Sequence, residues 1–167
     1  MSVSHFCAVP RDTGYSNVCQ VCGVPADAGY FDVAGIKTAP PAGEEVELAR
    51  YELHSQYCGT LLYFAQYAER AAPQQTPLQV ISHTPGYEWL ILCNNQPRAP
   101  YLPTSLILNP WGYNALPIHL RLEEGCTLRF VVRRVAPTVT QELSQVGGRL
   151  LGRSWYNTIY GGVPNRL

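Results

Sequence analysis

Short apolar runs alternate with clusters of Gly, Pro and Asn over the C-terminal two-thirds of the chain. Trp89–Cys93 ends at Asn94-Asn95, and a last run opens at Gly147-Gly148 and closes at Gly161-Gly162. Runs of this kind, with turn residues about every 8–12 positions, are typical of sandwiches and barrels. The pattern therefore predicts an all-β fold, a mostly antiparallel, jelly-roll-like β-sandwich over residues 44–167.

The same pattern places individual strands. The strands predicted before the last hairpin are Val46–Leu53, with a bulge near Arg50, then Leu78–Ser82 and Tyr87–Cys93. Cys58–Tyr67 also fits one face of a helix, but Gly59-Thr60 and the aromatic residues favour a strand.

Leu116–Leu122 and Thr127–Val135 are separated by Glu123-Glu124-Gly125 and predict a β-hairpin. Polar residues such as His119 alternate with apolar residues such as Ile118 in the first of these strands. This alternation predicts a strand with one solvent-exposed face and one buried face.

Residues 1–43 contain four Pro and five Gly and show neither a helical nor a strand period. The segment is nevertheless too rich in Phe, Tyr and Val for a free disordered tail. We therefore predict an extended, loop-rich N-terminal arm that lies against its own domain or against a neighbouring subunit.

The composition and net charge of the chain indicate which kinds of binding partner to expect. Only 14% of the residues are charged and the net charge is zero, whereas about 25% charged residues is usual for globular domains. The deficit suggests a surface covered by other subunits, although a large core would explain it too. No net positive charge favours nucleic acid or an anionic membrane, and no apolar run approaches the ~20 residues of a membrane span.

The strongest local motif is Cys19-Gln-Val-Cys22-Gly23, which has the form of a zinc-knuckle turn. A tetrahedral site needs two more ligands, and His5 and Cys7 could supply them. Zinc would also explain how a Gly- and Pro-rich segment becomes ordered. The alternative is a set of unligated cysteines in a packed arm.

The N-terminus and the remaining cysteines indicate the cellular compartment and its redox state. Met1–His5 has neither a basic nor an apolar signal region, so we expect no secretory signal and a reducing environment. Cys58, Cys93 and Cys126 lie within or beside apolar runs and are predicted to be small buried residues.

We predict no catalytic residues. Asp12-Thr13-Gly14 matches the aspartic-protease triplet by letters, but it lacks the apolar flanks of that family and suits an ordinary turn. Glu123 and Glu124 are adjacent, so on a strand they would face opposite sides. No nucleophile-elbow pattern or Gly-rich phosphate loop occurs in the sequence.

The C-terminal run is dense in Arg and aromatic residues, the types that dominate interface hot spots. Arg149, Leu151, Arg153 and Trp155 share one strand parity, and this mixture of polar and apolar residues favours an occluded polar face. We predict Arg149, Arg153 and Trp155, together with Tyr156 and Trp111, as interface residues. A sugar-stacking platform and a plain closing strand are the alternatives.

The stretch from Pro100 to Gly162 resembles the small β-sandwich accessory proteins of tailed-bacteriophage virions. The resemblance rests on Pro103–Leu108 followed by Asn109-Pro110-Trp111-Gly112, on the Leu120–Val132 hairpin, and on Gly148-Arg149 followed by Gly152-Arg153-Ser154-Trp155-Tyr156. It implies a protein that decorates or cements a capsid, or joins head to tail, without catalysis. It also implies a product of the bacterial host cytoplasm that resides in the virion, contacts other virion proteins and forms a homo-oligomer.

Two other functions fit the sequence. A carbohydrate-binding β-sandwich module would use Trp111, Trp155 and nearby Tyr residues as stacking platforms. A small zinc-containing hydrolase would use the Cys/His cluster of the arm.

Overall fold

The fold is that of a computed structural model, which describes residues 24–25, 28–70, 84–98, 116–139 and 142–156. These residues form eight β-strands and no helix. The strands are β1 Gly29–Thr38, β2 Glu45–Glu52, β3 Tyr57–Arg70, β4 Tyr87–Cys93, β5 Gln96–Pro97, β6 Leu116–Leu122, β7 Thr127–Arg134 and β8 Leu143–Tyr156. The described part of the chain accordingly contains no helix that could cross a membrane.

The strands form two four-stranded sheets packed against each other. The first has the order β1-β8-β3-β6 and the second the order β2-β7-β4-β5. Every strand pair in both sheets is antiparallel. The predicted all-β antiparallel sandwich is therefore confirmed.

The inward side chains of the two sheets make one core. Trp89 of β4 and Phe130 of β7 are each 1% exposed, and Leu61 of β3 and Leu150 of β8 are fully buried. The rings of Phe64 and Phe130 meet edge to face across the two sheets, with centroids 5.9 Å apart. Because each fully buried large apolar side chain contributes about 1.5–3 kcal/mol, this layer holds the sheets together.

Strand β8 lies between β1 and β3 in the first sheet and carries glycines at inward positions. It pairs with β1 over the full length of that strand and with most of β3. A Cβ atom at Gly152 would overlap the Phe31 ring and the Thr60 carbonyl oxygen, and one at Gly148 would overlap the Phe130 ring. Glycine is therefore required at these two positions because aromatic rings lie directly over the backbone.

The predicted hairpin of β6 and β7 is wrong, although both strands exist. Strand β6 pairs with β3 in the first sheet, while β7 pairs with β2 and β4 in the second. The connection carries the chain across the sandwich and ends at Cys126, which is buried and whose carbonyl oxygen accepts a hydrogen bond from the Leu53 amide (3.0 Å). The local alternation was predicted correctly, since His119 is exposed and Ile118 is buried.

The predicted boundary at residue 43 falls after the first strand of the sandwich. Residues 29–38, expected to be irregular, form β1 and pair with β8. Phe31 and Val33 face inward, but Tyr30 and Ile36 on the opposite face are also apolar, which hides the alternation. The arm prediction for residues 1–23 lies outside the described residues.

Strands β2 and β3 appear where they were predicted, but the bulge in β2 lies elsewhere. The register of β2 against β7 shifts between Glu47 and Ala49 rather than at Arg50. At this bulge the Leu48 carbonyl oxygen lies so close to Gly35 of β1 that a Cβ there would overlap it. The bulge thus brings β2 up to β1 across the sandwich. The predicted strand Leu78–Ser82 lies outside the described residues.

Cys93 and Cys126 are buried as predicted, but they are joined by a disulfide. Their Cα atoms are 6.2 Å apart, within the usual range for such a bond. The bond links the last residue of β4 to the residue before β7. It therefore lies at one end of the second sheet, where the chain enters that sheet from the first. Cys58 is buried and free.

We expect Gly152→Ala to destabilise the protein by about 1–3 kcal/mol, because overpacking forces ring and backbone shifts. Gly29→Ala is the matched control on β1, since its added methyl group would meet only the Ser154 carbonyl oxygen at 3.8 Å. The control should be neutral or slightly stabilising. Urea unfolding followed by tryptophan fluorescence measures both. Equal effects of the two substitutions would contradict the packing described for Gly152.

Reduction of the disulfide should lower the free energy of unfolding. The bond spans 33 positions of sequence, and closing a loop of that size is worth about 2–4 kcal/mol in the unfolded chain. Unfolding with and without reductant measures the effect. The Cys93→Ala/Cys126→Ala variant should be as unstable as the reduced protein and should not respond to reductant. A wild-type protein whose stability is the same in both conditions would rule out a stabilising bond.

Candidate interaction surface

The outward side chains of the first sheet form an apolar surface, here called the aromatic face. It consists of Tyr30 and Ile36 of β1, Tyr63 and Tyr67 of β3, and Leu151, Arg153 and Trp155 of β8, with Asp32 and Arg149 among them. The register brings these side chains together, because directly paired residues of antiparallel strands point to the same side. Tyr30 lies opposite Arg153, and Tyr63 lies opposite Leu151.

Exposure distinguishes the aromatic face from the rest of the described surface. Among all the described residues, five large apolar side chains are at least 36% exposed, and three of them belong to the aromatic face. Tyr30 is 73% exposed, Ile36 60% and Tyr63 36%, while Tyr57 and Val135 are the other two. Among the described residues, apolar exposure is therefore concentrated on one side of the sandwich.

Arg153 is held in place by Tyr30 of β1 and by Ala28, the residue before β1. Its guanidinium lies over the Tyr30 ring, 4.7 Å from the centroid, which is a cation–π contact. The same group donates a hydrogen bond to the Ala28 carbonyl oxygen at 2.7 Å. Arg153 therefore ties the start of β1 to β8 and covers one side of the Tyr30 ring.

Arg149 and Asp32 form a bidentate ion pair at the centre of the face. The Arg149 Nε donates to one Asp32 oxygen at 2.7 Å, and a terminal guanidinium nitrogen donates to the other. These hydrogen bonds lower the pKa of Asp32 below its usual value, against a smaller opposing effect of burial, and they raise the pKa of Arg149. The pair neutralises the charge of both groups within an otherwise apolar and aromatic surface.

The predicted interface residues are only partly brought together. Arg149, Arg153 and Trp155 share the side of β8 that belongs to the aromatic face, but Arg149 is exposed there and the face is largely apolar rather than an occluded polar one. Tyr156 points to the other side of β8, where its ring meets Tyr57 edge to face and its hydroxyl donates to Gln56 Oε1 at 2.8 Å. Trp111, predicted with them, lies outside the described residues.

Sequence reasoning missed the contributions of β1 and β3 to this face. Tyr30 and Ile36 come from a segment that was expected to be irregular. Tyr63 and Tyr67 come from a strand whose outward positions were not separated from its core positions. The parity of the apolar residues within Tyr57–Arg70 was the available signal, but the bulge at Leu62 changes which residues point outward.

The predicted zinc ligands His5, Cys7, Cys19 and Cys22 lie outside the described residues. Within the described ranges, no group of three or more His, Cys, Asp or Glu side chains could hold a metal ion. The free thiol of Cys58 is buried, and burial raises its pKa, with Glu124 adding to the effect.

The outer face of the second sheet has a different character. Its outward positions carry the exposed ion pair Arg50–Glu52 and the partly buried pairs Arg129–Glu47 and Arg133–Glu88. The apolar side chains on the same side, Leu90, Leu92 and Val131, are buried. Paired charges that keep contact with solvent are common on protein surfaces, and exposed pairs such as Arg50–Glu52 are individually weak.

A cavity of about 400 Å³ lies at one end of this second face. It is lined by Arg50, Asn94, Asn95, Thr127 and Arg129. Both arginines already contact carboxylates, and Arg129 also donates to the Asn95 amide oxygen at 2.8 Å. The cavity therefore has few uncommitted donors and no excess of positive charge.

Comparison of the chain with protein-family models, with curated proteins and with solved structures gives no match.

We expect Asp32→Asn to cost up to about 1 kcal/mol at neutral pH, the range for exposed pairs. The pKa of Asp32 is lower in the folded state, so its stabilisation is present above the unfolded value near 4. It is lost as the pH falls through the lower folded-state pKa. Urea unfolding of both proteins should therefore differ at pH 7 and converge in strong acid. Glu44→Gln, at an exposed carboxylate, is the control. A difference that persists in acid would contradict the linkage.

Proposed function

We propose that the protein is a non-enzymatic structural subunit of a larger assembly and that the aromatic face is a surface through which it assembles. The observation that supports this most is the contrast between the two outer faces. The first sheet exposes Tyr30, Ile36 and Tyr63, whereas the outward positions described for the second sheet carry exposed or partly buried ion pairs. Clustered exposed apolar residues mark interaction sites in soluble proteins.

The composition of the face suits a protein partner. Tyr, Trp and Arg are the residues that most often carry binding energy in protein interfaces, and the face contains all three. Arg153 is already held over Tyr30, and Arg149 is already paired with Asp32. Ordering these long side chains before binding reduces the entropy lost on association.

The resemblance to accessory proteins of tailed bacteriophages directs the proposal to a virion. In that setting the protein is a capsid decoration or cement protein, or a head–tail component, and its partners are other virion proteins. The low proportion of charged residues, 14%, agrees with a chain whose surface is partly covered by neighbouring subunits.

The carbohydrate-binding alternative is less well supported by this geometry. Tyr30 is the most exposed ring of the face, but Arg153 covers one side of it. A sugar would have to stack on the remaining side or on rings that are half-buried. A protein surface can instead contact the guanidinium and the ring together.

Co-sedimentation with purified phage particles of the genome that encodes the chain tests the proposal. The wild-type chain should sediment with the particles. Tyr63→Ala and Trp155→Ala should each weaken binding about tenfold or more, the scale of a hot-spot truncation. Val135→Ala, at an exposed apolar residue outside the face, should bind normally. Circular dichroism establishes that each variant is folded.

Two outcomes would overturn the assembly proposal. One is a wild-type chain that stays in the supernatant when the phage particles are sedimented. The other is normal binding by both Tyr63→Ala and Trp155→Ala. Binding of the wild-type chain to a glycan array, lost in the same two variants, would assign the face to a carbohydrate ligand instead.

A further inference from the structure

The four edge strands of the described sandwich are not equally protected against pairing with another chain. An unpaired strand edge presents a row of free N–H and C=O groups, and proteins commonly block it with Pro, charges, bulges or very short strands. Strands β1 and β6 are the edges of the first sheet, and β2 and β5 are the edges of the second.

Three of these edges carry such features. Strand β5 has only two residues, one of them Pro97. Strand β6 contains Pro117, and its pairing with β3 shifts register near that residue. Strand β2 has a bulge between Glu47 and Ala49 and carries several charged side chains.

Strand β1 is not short and has neither a Pro nor a bulge. It is ten residues long, contains no Pro, and keeps an unbroken register with β8 from Gly29 to Thr38. Seven of its ten residues are exposed. Its carboxylate at Asp32 is already paired with Arg149 of β8, which leaves Lys37, near its end, as its other charged side chain.

The contact between β1 and the second sheet does not cover this edge. At Gly35 the neighbouring Leu48 carbonyl oxygen lies where a Cβ atom would be. A Cβ on a strand points out of the plane of its sheet. The contact is therefore across the sandwich, and the in-plane hydrogen-bonding edge of β1 points away from β8.

We propose that β1 pairs antiparallel with β1 of a second copy of this chain, about a twofold axis at Val33. The pairing joins the two first sheets into one continuous sheet of eight strands. An isologous contact of this kind requires a self-complementary strand, and the sequence of β1 meets that requirement.

The complementarity concerns the two most exposed apolar side chains of the described residues. Tyr30 and Ile36 are 73% and 60% exposed and lie three residues on either side of Val33. A twofold axis at Val33 places Tyr30 of each copy directly opposite Ile36 of the other. Cross-strand pairs of an aromatic and a β-branched residue stabilise sheets, and this register forms two of them.

The remaining pairs in this register are also compatible. Phe31 lies opposite Gly35, so two large inward side chains do not meet, and Asp32 lies opposite Ala34. An axis at Asp32 would place two carboxylates opposite each other, which is unfavourable. An axis at Ala34 would place Ile36 opposite Asp32 and leave the two exposed apolar residues unmatched.

This inference deepens the proposed function by naming one partner, a second copy. The twofold axis runs perpendicular to the joined sheet, so the aromatic faces of both copies lie side by side on the same surface. The dimer would then present a doubled aromatic face to the assembly, with β1 of each copy in its middle.

Analytical ultracentrifugation of the full chain tests the inference without any other partner. The wild-type chain should sediment at twice the 18.5 kDa monomer mass, with dissociation on dilution. Tyr30→Lys combined with Ile36→Lys places like charges opposite each other in both pairs and should weaken the dimer about tenfold or more. Val135→Lys adds a charge at a comparably exposed apolar residue (50%) outside β1 and should remain dimeric.

A charge-complementary variant tests the register. In Tyr30→Glu combined with Ile36→Lys, each introduced carboxylate lies opposite an introduced ammonium group of the other copy, so the dimer should form. Added salt should weaken this dimer and strengthen that of the double-lysine variant, because exposed charges are screened. Circular dichroism establishes that all variants keep the β-sandwich.

A wild-type chain that is monomeric at its highest soluble concentration would overturn the inference. So would a double-lysine variant that dimerises as strongly as wild type. If the Glu/Lys and double-lysine variants are equally monomeric, the register centred on Val33 is wrong. Tyr63→Ala leaves β1 intact and tests the two proposals separately. If this variant dimerises but does not bind particles, the dimer and the particle-binding face are distinct properties.

Discussion

The first sheet depends on the close packing of aromatic rings over the glycines of β8. Gly152 accommodates Phe31 of β1, and Gly148 accommodates Phe130 of the second sheet. A side chain at either position would push a ring away from the backbone, and with it the strand that carries the ring. The same strand pairs with both β1 and β3. The position of β1, and therefore the geometry of the aromatic face and of the β1 edge, depends on the contact between Gly152 and Phe31.

The two sheets share a core but have different surfaces. The outer side of the second sheet pairs Arg and Glu residues across and along its strands, such as Arg129 with Glu47, and keeps its apolar side chains buried. The outer side of the first sheet has one central ion pair, Arg149 with Asp32, within an apolar and aromatic surface. Exposed paired charges are well solvated, whereas exposed rings gain free energy when they are covered. This physical difference is the reason for assigning assembly to the first sheet.

The disulfide between Cys93 and Cys126 lies where the chain crosses from one sheet to the other. The residues between β6 and β7 move the chain from the first sheet to the second and end at Cys126, which is bonded to Cys93. The Leu53 amide donates to the Cys126 carbonyl oxygen, so β2 is attached at the same place. A hydrogen bond and a disulfide together hold the point where a simple hairpin would otherwise have been expected. This end of the sandwich is distant in sequence from β1 and contributes no residue to the aromatic face.

The amino-acid sequence by itself determined the fold class, most of the strands and the shared parity of Arg149, Arg153 and Trp155, because these depend on local alternation and turn residues. It could not determine which strands pair. Local alternation is the same whether β6 turns back on β7 or belongs to another sheet. Only long-range contacts, such as the pairing of β6 with β3 and the hydrogen bond between Leu53 and Cys126, distinguish the two. The role of β1 was hidden because it is apolar on both sides. Only its pairing with β8 separates the side that packs in the core from the side that remains exposed.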